Sequence, residues 1–253
     1  MALYKHEIPI LEHDSNQAAV LRHDLEPVRL PERAVFVFLG DTVDQYAEET
    51  GAEILEVYET ITRCTNVYRI QYHGHELCLC RAPLGSAAAV QLMDWLIGHG
   101  VTRIIAAGSC GALAQLPENA FLIPVKALRD EGTSYHYLPP ARFVDTSPVI
   151  RETIRTVLSK RKLHFTECTT WTTDGFYRET EDMIAYRREE GCLAVEMECA
   201  SLAACAQFRG VEFAQLLYTA DSLADAARYD ARNWGKASLN TALELCLDIA
   251  ATM

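Results

Sequence analysis

The chain has 253 residues, is 49% hydrophobic and carries a formal net charge of -12, with a pI near 5.1. Such a composition buries a full core and fits one α/β domain. Its acidic surface disfavours nucleic acid and anionic membranes as partners but still permits a small anion in a local pocket. No apolar run approaches the roughly 20 residues of a membrane span, and the N-terminal stretch is too acidic for a signal peptide, so a cytoplasmic protein is expected.

Residues 1–33 are polar and irregular, with Pro9, Pro27 and Pro31, and are expected to form an extended arm in which His23 stands out. Residues 34–39 (AVFVFL) are a β-rich run closed by Gly40-Asp41-Thr42, and 43–54 (VDQYAEETGAEI) reads as a helix. This strand, glycine turn and helix is a common anion-facing arrangement. Beyond Arg63 the alternation of Val67, Tyr68, Ile70 and Tyr72, the turn at Gly74 and the run 77–80 predict an antiparallel hairpin. Residues 86–97 predict a helix with Ser86 as its N-cap, stopped at Gly98.

The stretch 101–113 (VTRIIAAGSCGAL) reads as a buried strand emptying into a tight turn at 108–111. Glycines there let the main chain approach a ligand, and the Ser109 hydroxyl can join backbone N–H groups around an oxyanion; a plain strand-to-loop turn explains the same residues. Further strands are expected at 121–125, 166–173, 192–197 and 213–218, with helices at 149–162, from 196 onward, and 237–250. Strands alternate with helices, so the expected class is α/β, a three-layer α/β/α sandwich with a mixed central sheet. The polar aromatic loop 129–140 offers Glu131, Tyr135, His136 and Tyr137 either to a base or ribose pocket or to an ordered interface. The charge run 187–190 reads as a solvated helix end. The nine cysteines lack metal or CxxC spacing and read as reduced core residues; Cys110 is the one weighed, and set aside, as a nucleophile.

In an α/β sheet, ligands bind beyond the carboxyl ends of the strands. There Gly40, Asp41, Gly108, Ser109, Glu196, Glu198 and Asp221 converge, and two carboxylates beside Met197 suit a sugar diol better than a core. The combination GSCGAL, VEMECASL, DGFYRET and TAD resembles the nucleoside phosphorylase superfamily, the branch of hexameric purine nucleoside phosphorylases, uridine phosphorylases and related nucleosidases. The resemblance covers roughly residues 20–250.

It implies cleavage of a nucleoside N-glycosidic bond, by phosphate in the phosphorylases and by water in the nucleosidases, with no metal and no cofactor beyond inorganic phosphate as co-substrate. It further implies that Gly40 and Ser109 seat phosphate, that Glu198 grips the ribose hydroxyls over Met197, and that Phe176 stacks on the base. Arg63 would reach the phosphate and His23 the ribose 5′-hydroxyl across a subunit interface, making a homodimer or hexamer. Asp221 falls where purine-specific members place the acid that quenches charge on the departing base; a turn cap is the plainer role for it. Arg228 or Arg232 is the expected support for Asp221. Tyr177 is expected to pack, and Arg178 to form a loop ion pair.

Two positions depart from the pattern: Asp44 and Ala106 stand where family phosphorylases carry arginines, and the glycine-rich turn before Ser86 is altered to Ala82-Pro83-Leu84-Gly85. Each missing cation removes charge-assisted bonds of about 1.5–3 kcal/mol. Either Arg63, Arg81 or Arg178 refills the pocket or water is the nucleophile; the resemblance as a whole implies a nucleoside phosphorylase acting on a purine nucleoside ahead of a pyrimidine one. A hydrolase of the same fold, a uridine phosphorylase and a non-catalytic nucleoside-binding module are the alternatives.

Overall fold

The computed structural model describes residues 3–21, 28–225 and 227–253; His23 lies outside them. In chain order it contains β1 (Leu3–Tyr4), β2 (His13–Asp14), β3 (Arg33–Val37), α1 (Thr42–Thr50), β4 (Glu53–Glu59), β5 (Cys64–Tyr72), β6 (His75–Arg81), α2 (Ser86–Gly98), β7 (Arg103–Ala112) and β8 (Phe121–Asp130). There follow β9 (Phe143–Asp145), α3 (Pro148–Lys160), β10 (Phe165–Thr173), α4 (Glu181–Glu189), β11 (Cys192–Glu196), α5 (Cys199–Arg209), β12 (Glu212–Ser222) and α6 (Leu239–Thr252).

The main sheet runs β11-β10-β8-β12-β7-β3-β6-β5-β4, with β9 beside β8. Because β11 also pairs with β7, five of these strands close on themselves, and β3 to β4 extend from the closed part as a wing. Closure removes edges that would otherwise invite pairing with other chains. The sheet is mixed: β7 is parallel to β3 and β12, whereas β12 and β8 run antiparallel. Alternate residues of β3 face opposite ways. Val35 and Val37 join the core packed by α1, α3 and α6, while Ala34 and Phe36 join the core packed by α2 and α5. Helices therefore cover both faces, as expected of a three-layer α/β/α sandwich.

Four local expectations are corrected. The helix predicted over 43–54 ends at Thr50 because Gly51, at φ +63°, takes the left-handed conformation, and β4 follows. The Ser86 hydroxyl does not cap α2. Gly85, at φ +91°, precedes the helix, and Ser86 Oγ donates instead to the Met197 carbonyl at 2.6 Å. The turn predicted at 108–111 is strand: β7 continues through Ala112 between β12 and β11. Its glycines answer to close approach. A Cβ on Gly108 would lie 3.3 Å from the Phe38 Cβ, and one on Gly111 only 2.6 Å from Leu223 Cδ1 and 3.3 Å from Asp221 Oδ1. Finally, Arg187 is buried within the run predicted to be solvated.

The first residues lie against the body: β1 pairs with β2, and Gln17 Nε2 donates to the Phe208 carbonyl at 2.9 Å. Eight of the nine cysteines are buried and all are free, with Cys64 exposed.

Candidate active site

The carboxyl ends of adjacent strands bring the separated motifs to one rim. Ser109 on β7 is in register with Tyr218 on β12, Cys110 with Thr219, and Gly111 with Val195 on β11. Phe38, two residues before Gly40, donates its N–H to the Ala107 carbonyl at 2.7 Å. Gly40, Ser109, Asp221 and the turn carrying Glu196 and Glu198 thus share one end of the sheet.

Asp221 and Phe176 line one cavity of about 480 Å³, together with Glu179, Glu181, Tyr229 and Trp234. Asp221 is buried. Burial raises its pKa from the ordinary value, only partly offset by its own backbone N–H, the Tyr229 hydroxyl and the charge of Arg232. Of the two arginines expected to support Asp221, Arg232 is therefore the one whose charge acts on it. Its Nη2 is tied to the Leu116 carbonyl at 2.7 Å. Burial and then the charge of Asp221 push Glu179 up to about 7. Phe176 is 43% exposed and meets Tyr177 edge to face at 5.0 Å. It stands at the cavity wall as an apolar platform. Neither Glu179 nor Tyr229 was singled out in the sequence, because the loop 223–234 and the start of α4 meet only in three dimensions.

The carboxylates Glu196 and Glu198 separate into two roles. Glu196 Oε1 accepts from the Thr172 hydroxyl at 2.5 Å and the Thr170 hydroxyl at 3.3 Å. Its Oε2 accepts from the Glu198 and Cys199 N–H groups at 2.8 and 2.6 Å. Both oxygens accept bonds from within the protein, so Glu196 anchors the start of α5. Glu198 is different: its side chain accepts from the Gly85 N–H at 2.6 Å. Burial, followed by the Glu196 charge, raises its pKa to about 8. Met197, between them, is partly exposed.

This has a measurable consequence. The unfolded carboxyl ionises near 4.5, so between about pH 4.5 and 8 the folded protein holds a proton that the unfolded chain has released. Stability attributable to Glu198 is therefore lost as pH rises through that window. Glu198→Gln should flatten the curve: between pH 5 and 8 the native protein should lose on the order of 3 kcal/mol relative to the variant in denaturant titrations. Parallel curves would contradict the assignment.

At the anion end, Arg63 and Arg81 line a cleft of about 390 Å³ with Asp44, Thr65 and Asn66. Arg81 Nη1 lies 2.5 Å from Asp41 Oδ1 and 3.6 Å from Asp44 Oδ2. Arg81 is thus paired with two carboxylates, of which Asp44 lines the cleft with it. Burial lowers the Arg63 pKa, with Arg81 adding repulsion. Ser109 is exposed at the rim, where its hydroxyl bonds the Tyr218 phenol. Ala106 is fully buried in the core with Phe36, so its side chain is core filling.

The remaining candidates are absorbed by structure. Arg129 Nε reaches Ser134 Oγ at 2.8 Å, its Nη1 reaches the Pro139 carbonyl at 2.7 Å, and the Tyr135 ring lies 4.4 Å away. The loop 129–140 is wound around this arginine. His136 and Tyr137 line a different groove, with Asp94 and Arg209. Glu131 caps the turn at Ser134, accepting its N–H at 2.8 Å. Cys110 is a poor nucleophile: burial, then the nearby Cys168, Glu196 and Asp221, holds its pKa well above that of an ordinary thiol. Among the described residues no His, Cys, Asp or Glu group could hold a metal ion, and no helix is long and apolar enough to cross a membrane.

Comparison with known proteins gives concordant results. A family model described as Phosphorylase superfamily matches residues 32–251. The chain is 34% identical over 132 residues to a DeoD-type purine nucleoside phosphorylase of Mycoplasma genitalium, a match covering 49% of this chain and spanning about half, 54%, of that enzyme. A uridine phosphorylase structure from Vibrio fischeri superimposes with a TM-score of 0.77 at 21% identity, covering 92% of this chain and 95% of that one. An AMP nucleosidase structure from Bacteroides thetaiotaomicron gives 0.72 at 21% identity, covering 88% and 89%. At these identities the two structures show a common fold.

Proposed function

Because the chain belongs to the phosphorylase superfamily, we propose that it cleaves the N-glycosidic bond of a purine nucleoside with phosphate, giving free base and pentose 1-phosphate. The observation that carries this reading is the single cavity shared by Asp221 and Phe176. Phe176 offers a face to the base. Asp221, buried and with its pKa raised by that burial, is the acid that meets the departing purine as electrons of the C1′–N bond move onto its ring. The Tyr229 hydroxyl orients that carboxyl. Glu198, at the rim near Gly85, accepts from the ribose hydroxyls, whose donated bonds favour its ionised form. Ser109, Gly40 and Arg63, with Arg81 beside Arg63, receive the phosphate, which attacks C1′ as the sugar becomes oxocarbenium-like.

On this reading the enzyme is a cytoplasmic homo-oligomer, a dimer or a trimer of dimers, serving nucleoside salvage with no cofactor beyond its phosphate co-substrate. Arg63 and His23 are the residues offered across the subunit interface.

A specific observation favours a second reading. Asp41 and Asp44 both pair with Arg81, which weakens the cleft's attraction for a phosphate dianion and suits water better. Inosine and adenosine turnover with and without phosphate separates the two. Phosphorolysis predicts at least a tenfold rise in base release at millimolar phosphate and the appearance of pentose 1-phosphate. Free ribose released at a phosphate-independent rate would replace the phosphorylase with a nucleosidase.

A further inference from the structure

Tyr218 on β12 is buried, 2% exposed, beside the exposed serine of the anion end. It is in register with Ser109 on the parallel strand β7 and with Phe121 on the antiparallel strand β8, and residues opposite each other on neighbouring strands share a face of the sheet. The loop before α6 packs on its ring. A Cβ on Gly235 would lie 2.8 Å from Tyr218 Cδ2 and Cε2, and Glu118 Oε1 holds that loop in place by accepting from the Gly235 and Asn233 N–H groups, each at 2.9 Å. The ring is therefore fixed, with its hydroxyl bonded to Ser109. A phenol shut off from water gives its proton to a protein acceptor. When Ser109 Oγ accepts it, the serine proton is left to point out of the rim, whereas a surface serine otherwise rotates among three staggered positions.

We infer that Tyr218 is a positioning residue for the anion: its hydroxyl fixes the Ser109 hydroxyl as a donor aimed at a phosphate oxygen. The inference rests on the proposed phosphorolysis, in which Ser109 receives phosphate, and adds the residue behind that donor. Tyr218 itself touches no reacting atom and exchanges no proton with substrate. A donor oriented in advance loses little freedom on binding, and donation from the phenol polarises its O–H bond. Both effects count most at an anion end where Arg81 is already paired with Asp41 and Asp44.

Tyr218→Phe removes one buried oxygen and keeps the ring packed on Gly235. KM for phosphate in inosine cleavage, and Kd for inorganic phosphate by calorimetric titration, are expected to rise about five- to tenfold. KM for inosine and kcat at saturating phosphate should stay within about twofold. A merely structural role would move these constants together. In a Ser109→Ala background the same substitution should add less than about twofold, because the hydroxyl it orients is gone. Unchanged phosphate constants in Tyr218→Phe, an equal loss in kcat or inosine KM, or a full further loss on top of Ser109→Ala would overturn the inference and leave phosphorolysis standing. Turnover by the native protein at a phosphate-independent rate, with no titratable phosphate binding, would overturn both. If phosphate binds but no nucleoside is cleaved, the enzymatic reading fails and the Kd comparison decides for Tyr218. The Tyr218→Phe comparison also decides if Ser109→Ala does not fold.

Discussion

Replacing Asp221 by Asn is expected to lower kcat for purine nucleoside cleavage by about 10²–10⁴-fold while leaving KM within a few-fold. The amide keeps the shape and can still accept from Tyr229, so the fold and the cavity persist. It cannot transfer a proton to the departing base. Burial raises the Asp221 pKa, which keeps the proton on the carboxyl at a higher pH than a surface aspartate would. The native rate should accordingly fall on the alkaline side as Asp221 ionises, a limb that the Asn variant lacks. A substrate with an activated leaving group should recover most of the lost rate, because it needs no acid. Loss of binding in place of kcat would mean that Asp221 only shapes the pocket.

The second large effect falls on stability. Arg187 on α4 is buried, with Nη2 on Asp130 at 2.8 Å and Nη1 on Glu190 at 2.9 Å. Its guanidinium also lies 5.4 Å from the centre of the Trp171 ring. Truncation to Ala takes one partner from each acceptor, leaving Asp130 with the Trp171 N–H and Glu190 with Arg142, and empties the space over the indole. Removing one partner of a buried ion pair costs about 3–5 kcal/mol, and because Asp130 is about a third exposed the lower end applies, about 3 kcal/mol. In a chain of this length that corresponds to a fall in Tm of about 6–12 °C in calorimetry. The same helix carries Glu181 and Ile184 into the cavity lined by Asp221, so on the proposed function activity should decline along with the Tm. An unchanged Tm would show that the network contributes nothing net.

Most of the layered fold was legible because its signals are local. The β-rich runs and the alanine-rich helix after Glu198 each report their own surroundings. β4 escaped because its alternation is broken: the pairing with β5 shifts between Ile54 and Glu56, so its apolar residues lose strict period two. The stretch 108–111 pointed to the right place for the wrong reason. Gly108 and Gly111 read as turn residues, whereas what they serve is the closeness of Phe38, Leu223 and Asp221, which no local pattern reveals.

The carboxylate pair shows the same limit. Two residues apart on one strand, Glu196 and Glu198 would share a face, but β11 ends between them. Glu196 turns into a bed of threonines, while Glu198 stands before α5 against Gly85. Asp221 could be picked out from the motif at its strand end. Its partners Tyr229 and Glu179 could not, since they reach it from a loop and a helix start that have no pattern of their own. The charge of the anion cleft was half legible: Asp44 stood out as a departure, but the pairing of Arg81 with Asp41 is a tertiary fact.

On the proposed function, one cavity receives the base between an acid, Asp221, and an aromatic platform, Phe176, with the sugar lying toward Glu198. A crystal structure of Asp221→Asn grown with inosine and phosphate tests this most directly. The purine should lie against Phe176 with a ring nitrogen within hydrogen-bond distance of the substituted amide, and the ribose hydroxyls should sit on Glu198. Inosine bound elsewhere, or seated with its ribose away from Glu198, would contradict it.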